Sequence, residues 1–256
     1  MCNSLFVPWH RPSRKSTIAL ALLLSGCQTA GDASSPTVPD GFVFRPSFQT
    51  TRGEARAGTA FLVRLPDQPR SLLISAIHLL GPAGGMRESI PSEDVAKALV
   101  DVRLVGCFDG ADNGQIGGEA LTLPAAMLGT ASKAGDILAV WASDQPILHP
   151  GRLAASAPEP GRPVWLAASV PRGAPAEQRL HRAVSKGFDK EGNFLYEYDN
   201  PDLILATTSG APVLNNAGEV VAINVGGKKE SDRLVGIGNP VDRFRSYLDA
   251  ATKKTD

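Results

Sequence analysis

Apolar residues in this chain come in short runs rather than in helical stripes. Runs at 58–63 (GTAFLV), 71–76 (SLLISA), 100–108, 136–141 (DILAVW) and 163–169 (PVWLAAS) are each a few residues long and rich in Val, Leu and Ile. Turn-forming residues bound them, so each predicts a β-strand. Residues 183–188 and 193–198 read as two more, joined by an Asp189-Lys190-Glu191-Gly192 turn. Over 203–227 the pattern is strand, tight turn, strand, turn, strand. There 203–205 is apolar, 207–212 is small, 213–214 is apolar, Asn215-Asn216-Ala217-Gly218 is a hairpin turn, and 219–225 is a strand. Residues 234–237 make a last short strand, whereas the polar, glycine-rich stretch 109–118 reads as a loop.

Helix is predicted in only two places. Pro91-Ser92 starts one or two turns over 92–99. Asn239 as N-cap and Pro240 at the first helical position start a second helix over 241–252. Val241, Phe244, Tyr247, Leu248 and Ala251 fall on one face of it. The segment 142–161, rich in proline and poor in periodicity, separates two runs of strands. The pattern predicts an all-β protein in two halves with a C-terminal α-helix.

Composition agrees: 256 residues, 43% hydrophobic and 20% charged, are ordinary for a globular protein. The length allows one large domain or two small ones sharing a core. The N-terminus is different in kind. Arg11, Arg14 and Lys15 precede a seven-residue apolar run at 18–24, too short to span a bilayer, and Leu24-Ser25-Gly26-Cys27 follows. This resembles the lipobox of bacterial lipoproteins. The resemblance implies that 1–26 is a signal peptide, that Cys27 is acylated as the mature N-terminus, and that the protein is held to a membrane by that lipid. Gln28 stands where the inner-membrane retention signal would have Asp, which implies the periplasmic face of the outer membrane. Residues 27–41, small, polar and proline-bearing, read as a flexible tether.

Removal of 1–26 takes away three basic residues and leaves 23 basic against 26 acidic, net −3. No basic patch suggests nucleic acid. Of Cys2, Cys27 and Cys107, only Cys107 would stay free, in an apolar run that argues for a buried thiol; no intramolecular disulfide is then available and the core must hold the fold. Four histidines and no Cys/His cluster give a metal site or a cofactor no support.

Three residues carry candidate chemistry. His78 stands directly after the 71–76 strand, Asp136 opens the 136–141 strand after Gly135, and Ser209 sits beside Gly210 on a tight loop between strands. A Ser-Gly pair alone is usually an ordinary turn. Acyl transfer, however, needs a hydroxyl activated by an imidazole, and an imidazole oriented by a carboxylate. Asp101 and Asp109 are alternative carboxylates, but neither opens an apolar strand after a glycine.

These segments resemble the trypsin-fold (chymotrypsin-like) serine peptidases in a bacterial, disulfide-free form. The resemblance rests on GTAFLV at 58–63, Ser75-Ala76-Ile77-His78, Gly135-Asp136-Ile137-Leu138-Ala139, Ser209-Gly210-Ala211-Pro212-Val213-Leu214, 218–223 and 236–240, in the family's order. It implies two six-stranded antiparallel β-barrels, at 42–141 and 142–256, with the site in the cleft between them. Carried over by motif, His78 is the general base, Asp136 its orienter and Ser209 the nucleophile. Thr207 and Ser209 supply the oxyanion-hole N–H groups. Leu203 lines the specificity pocket, and Asn224, Val225 and Gly226 form the edge that pairs with the substrate backbone. Two departures stand out. Thr207 replaces the usual glycine, and a β-branched residue is expected to resist positive φ there. Thr208 replaces the usual Asp or Asn. The implied function is a lipid-anchored serine endopeptidase acting on protein or peptide substrates. The alternative is a protease-fold lipoprotein that cleaves weakly or not at all and acts as a binding module in the envelope.

Overall fold

The computed structural model describes residues 34–123, 135–143 and 145–253. The expected signal peptide and Cys27 lie outside the described residues.

The first half is a seven-stranded antiparallel sheet. Its strands are β1 (Val43–Thr50), β2 (Gly53–Ala55), β3 (Ala60–Val63), β4 (Ser71–Ser75), β5 (Leu99–Gly106), β6 (Asp112–Gly117) and β7 (Leu138–Ala142). The path runs β6-β5-β1-β3-β4-β7, with β2 beside β1. A closed six-stranded barrel was expected here. The six-strand path is present, but among the described residues its two ends are joined by one bridge, Ala120↔Val140, backed by Leu121 N–H to Ala139 C=O and Trp141 N–H to Glu119 C=O, both 2.9 Å. Helix α1 (Val95–Ala98), preceded by a 3₁₀ turn at Ser92–Asp94, leads into β5.

The second half is the closed barrel that the resemblance implies. Strands β8 (Pro163–Ala167), β9 (Leu180–Phe188), β10 (Phe194–Tyr198), β11 (Pro212–Leu214), β12 (Val220–Glu230) and β13 (Arg233–Pro240) close in the order β10-β13-β12-β11-β8-β9. Along β9 the buried residues alternate with exposed ones, His181, Ala183, Ser185 and Gly187 facing inward, as a half-buried strand requires. Helix α2 (Val241–Thr252) follows β13. It begins one residue later than expected, because Asn239 and Pro240 are still paired to β12 as the end of β13.

Two expectations change. The polar 112–117 stretch is strand β6, not loop: it pairs with β5 at the sheet's end, where few apolar residues are needed. Residues 203–205 are not a strand. Strand β1 has no clean sequence signal because Pro46 interrupts it. Pro46 is tolerated because β3 covers only Val43–Phe44 and β2 only Phe48–Thr50 on that side, so no ladder partner loses a donor.

One core cluster spans both halves, and a second, with Val164, Phe194, Tyr196 and Val213, lies inside the closed barrel. Phe44, Phe48, Phe61, Leu104 and Ile74 cluster with Leu214, Val220, Ile223 and the α2 residues Phe244 and Leu248. Part of the expected tether belongs to this body: Pro36, Val38 and Gly41 are buried, and Asp40 pairs with Arg179 at 2.7 Å.

Candidate active site

The pairing of β4 with β7 places the histidine and the aspartate. Ser75 faces Leu138 in the antiparallel register. His78 lies three residues past Ser75 and Asp136 two before Leu138, so both project from the same end of the ladder. A 3₁₀ turn at Ile77–Leu79 buries Ile77 and Leu79 and leaves His78 facing outward, its side chain 22% exposed. Asp136 is buried, with its Oδ2 2.5 Å from His78 Nδ1 and its Oδ1 accepting the His78 backbone N–H at 3.1 Å. Both carboxylate oxygens are thus used. The short contact puts the ring proton on Nδ1 and leaves Nε2 as an acceptor on the outer side.

The serine sits on a turn that leads into β11. Gly210 has φ +87°, and a Cβ there would lie 2.1 Å from the Thr59 carbonyl oxygen and 2.5 Å from Ser75 Oγ. Only glycine lets this turn lie against the end of β4, three residues before His78. Thr59 is the joint. Its N–H donates to the Ser209 carbonyl at 2.8 Å and its hydroxyl to the Thr207 carbonyl at 2.9 Å, while its own carbonyl accepts from Ser75 Oγ at 2.7 Å. Ser209 is half-buried. Among the described residues, no hydrogen bond joins its hydroxyl to the His78 ring.

Thr207 takes φ +71°. The sequence reading expected it to resist this conformation; the structure imposes it, with the Thr59 hydroxyl latching its carbonyl. Among the described residues, neither the Thr207 nor the Ser209 backbone N–H has an acceptor. Unpaired N–H groups in such a turn are donors for an anion.

Behind the turn is a neutral network. Thr208 is fully buried and its hydroxyl donates to the Leu205 carbonyl at 2.7 Å. Asn224 Nδ2 donates to both Thr208 oxygens at 2.9 Å, and Tyr196 donates to Asn224 Oδ1 at 2.6 Å. This corrects the reading of Asn224 as a substrate contact. Its side chain is fully buried, its N–H bonds Ala211 and its carbonyl takes the Gly210 N–H, so it braces the serine turn. Val225 is also buried, skipped in the β12–β13 register between Asn224 and Gly226. Gly226, φ +156°, has open space where a Cβ would be.

Leu203 lies in a cavity of about 510 Å³, with Leu205, Leu234, Gly226 and Gly227 among its walls and the Lys229–Asp202 pair, 3.7 Å, at its edge. Among the described residues, no three His, Cys, Asp or Glu side chains come together as a metal site. The bracing roles of Thr59, Tyr196 and Asn224 were missed from sequence. The one signal for Thr59 was a polar residue at the head of an apolar run.

No protein-family model and no curated protein sequence matches this chain. Solved structures do. The thermostable serine protease AL20 from an extremophilic microorganism superposes with a TM-score of 0.50 at 14% identity, over 83% of this chain and 97% of that one. The inactive form of a serine-to-alanine mutant of Rv3671c from M. tuberculosis H37Rv gives 0.46 at 13% identity, over 84% and 89%. The closed barrel, the second six-strand path and the terminal helix, together with the likeness to AL20, give this chain the chymotrypsin-like fold of trypsin-type serine proteases.

Proposed function

We infer that this protein is a serine endopeptidase working through an acyl-enzyme on Ser209. The observation that carries the reading is the His78–Asp136 pair, both carboxylate oxygens engaged, beside a turn in which, among the described residues, the Thr207 and Ser209 N–H groups have no partner. Nε2 of His78 takes the Ser209 proton as Oγ attacks the scissile carbonyl carbon. The oxyanion that forms is received by the N–H groups of Thr207 and Ser209, and Asp136 stabilises the imidazolium. The proton passes to the leaving amine, and water repeats the sequence on the ester. The Leu203 cavity, lined by Leu203, Leu205 and Leu234 with Asp202, Lys228 and Lys229 as its charged members, suits an apolar side chain on the acyl side. By the lipobox resemblance, the enzyme is anchored through acylated Cys27 on the periplasmic face of the outer membrane.

A second reading is a binding module on a protease fold. The missing Ser209–His78 hydrogen bond and the strained Thr207 favour it. A fluorophosphonate probe separates the two. Labelling of the wild-type chain that is lost in Ser209→Ala and falls by about 10⁴-fold in rate in Asp136→Asn supports the enzyme. A folded chain that takes no label supports the binding module.

A further inference from the structure

A second cavity, of about 490 Å³, reaches the serine turn at Thr207. Residues 201–206 line the Leu203 cavity, whereas Thr207 lines this one, together with Gly58, Thr59, Arg45, Arg56 and Ser169. The two cavities share no lining residue, and along the chain one lining ends at Ala206 where the other takes up Thr207. A peptide with one side chain in the Leu203 cavity and its carbonyl at Ser209 would carry its remaining residues past Thr207 into this second space.

The charge of that space is one-sided. Two arginines line it and no carboxylate does. Arg56 is already paired with Glu54, and Arg103, in the adjoining groove, with Asp112. Arg45 differs. Its guanidinium donates to Ser169 Oγ at 2.8 Å, and among the described residues it meets no carboxylate. It projects from β1, and Ser169 follows β8, so the guanidinium spans the two halves of the fold. The hydroxyl fixes the orientation of the planar fork but neutralises none of its charge. A guanidinium held that way has further donors, in the geometry that takes a carboxylate through two parallel bonds.

We propose that this cavity receives an Asp or Glu side chain of the substrate, placed after the scissile bond, with Arg45 as its partner. The direction of the substrate rests on the acyl-enzyme reading above; the preference for a carboxylate rests on Arg45 alone.

The test uses the full chain and two sets of labelled peptides, randomised before the scissile bond and carrying either Asp or Asn at the two positions after it. Binding is measured to Ser209→Ala by fluorescence anisotropy, and cleavage by the wild type as kcat/KM. The Asp set is expected to bind and to be cleaved about tenfold better, the scale of one charge-assisted pair. The preference should shrink as salt rises and disappear in Arg45→Met and in Arg45→Gln. Equal binding of the two sets, or a preference that survives both substitutions, overturns the proposal. Absence of cleavage with the binding preference intact overturns the acyl-enzyme reading and leaves the cavity assignment standing.

Discussion

Thr207 is β-branched and sits at φ +71°. Such a conformation costs about 1–3 kcal/mol and persists only where neighbours hold it. Here the holders are identifiable: the Thr59 hydroxyl on the Thr207 carbonyl, and the Thr208–Asn224–Tyr196 network behind it. Thr207→Gly should therefore relieve the strain. Part of the gain is offset, by about 0.5–1 kcal/mol, because glycine frees the unfolded chain. The melting temperature is expected to rise by roughly 2–4 °C, with fluorophosphonate labelling at least as fast as in the wild type. A lower melting temperature would mean that the threonine side chain stabilises the turn by more than its backbone strain costs. His78, Asp136 and Ser209 stood out in the sequence as candidates because each is marked by its immediate neighbours, and the structure brings the first two to 2.5 Å. The φ of Thr207 was not legible, because its cause lies in Thr59, 148 residues away.

Strands β8 and β9 carry a buried histidine of a different kind. His181 Nε2–H donates to the Ala168 carbonyl at 3.0 Å, and Nδ1 accepts from the Gln178 amide at 3.4 Å. The neutral ring satisfies both partners; a second ring proton would face an N–H. Burial also opposes the charge and holds the folded value below the usual 6.5, against the pull of the Ala168 carbonyl. A histidine whose folded pKa is depressed contributes its full stability above the unfolded value and loses it as pH falls. The melting temperature should therefore decline as pH drops below about 6.5, and decline less in His181→Gln, which keeps an N–H donor for Ala168. Parallel declines in both proteins would exclude His181 as the cause. Most elements were legible at this scale, since β3, β4, β7, β8, β10 and α2 carry runs or stripes that dictate their burial. The exceptions have physical reasons. Strand β6 is polar because it lies at the end of its sheet, and β1 hides behind Pro46, which is harmless only because the partner strands leave a gap there.

Across the described residues, one core cluster spans the two halves, and a second, with Val164, Phe194, Tyr196 and Val213, fills the barrel of the second half. Phe44 and Leu104 of the first half lie in one cluster with Leu214, Ile223, Phe244 and Leu248 of the second. A lipid-free form beginning at Ser34 retains the buried Pro36 and Val38. It is expected to unfold in one calorimetric transition, with equal calorimetric and van't Hoff enthalpies. Two resolved transitions would show the halves to be thermodynamically independent. Local pattern determined the two-half β architecture, the terminal helix and the three candidate site residues, because alternation, turn chemistry and flanking glycines act within a few positions. Tertiary structure decided the rest. The backbone of Thr207, the bracing role of Asn224, the burial of Pro36 and Val38, and the unpaired Arg45 across from Ser169 all arise from contacts between residues far apart in the chain. Such contacts exist only once the two halves have packed against each other, and no local pattern encodes them.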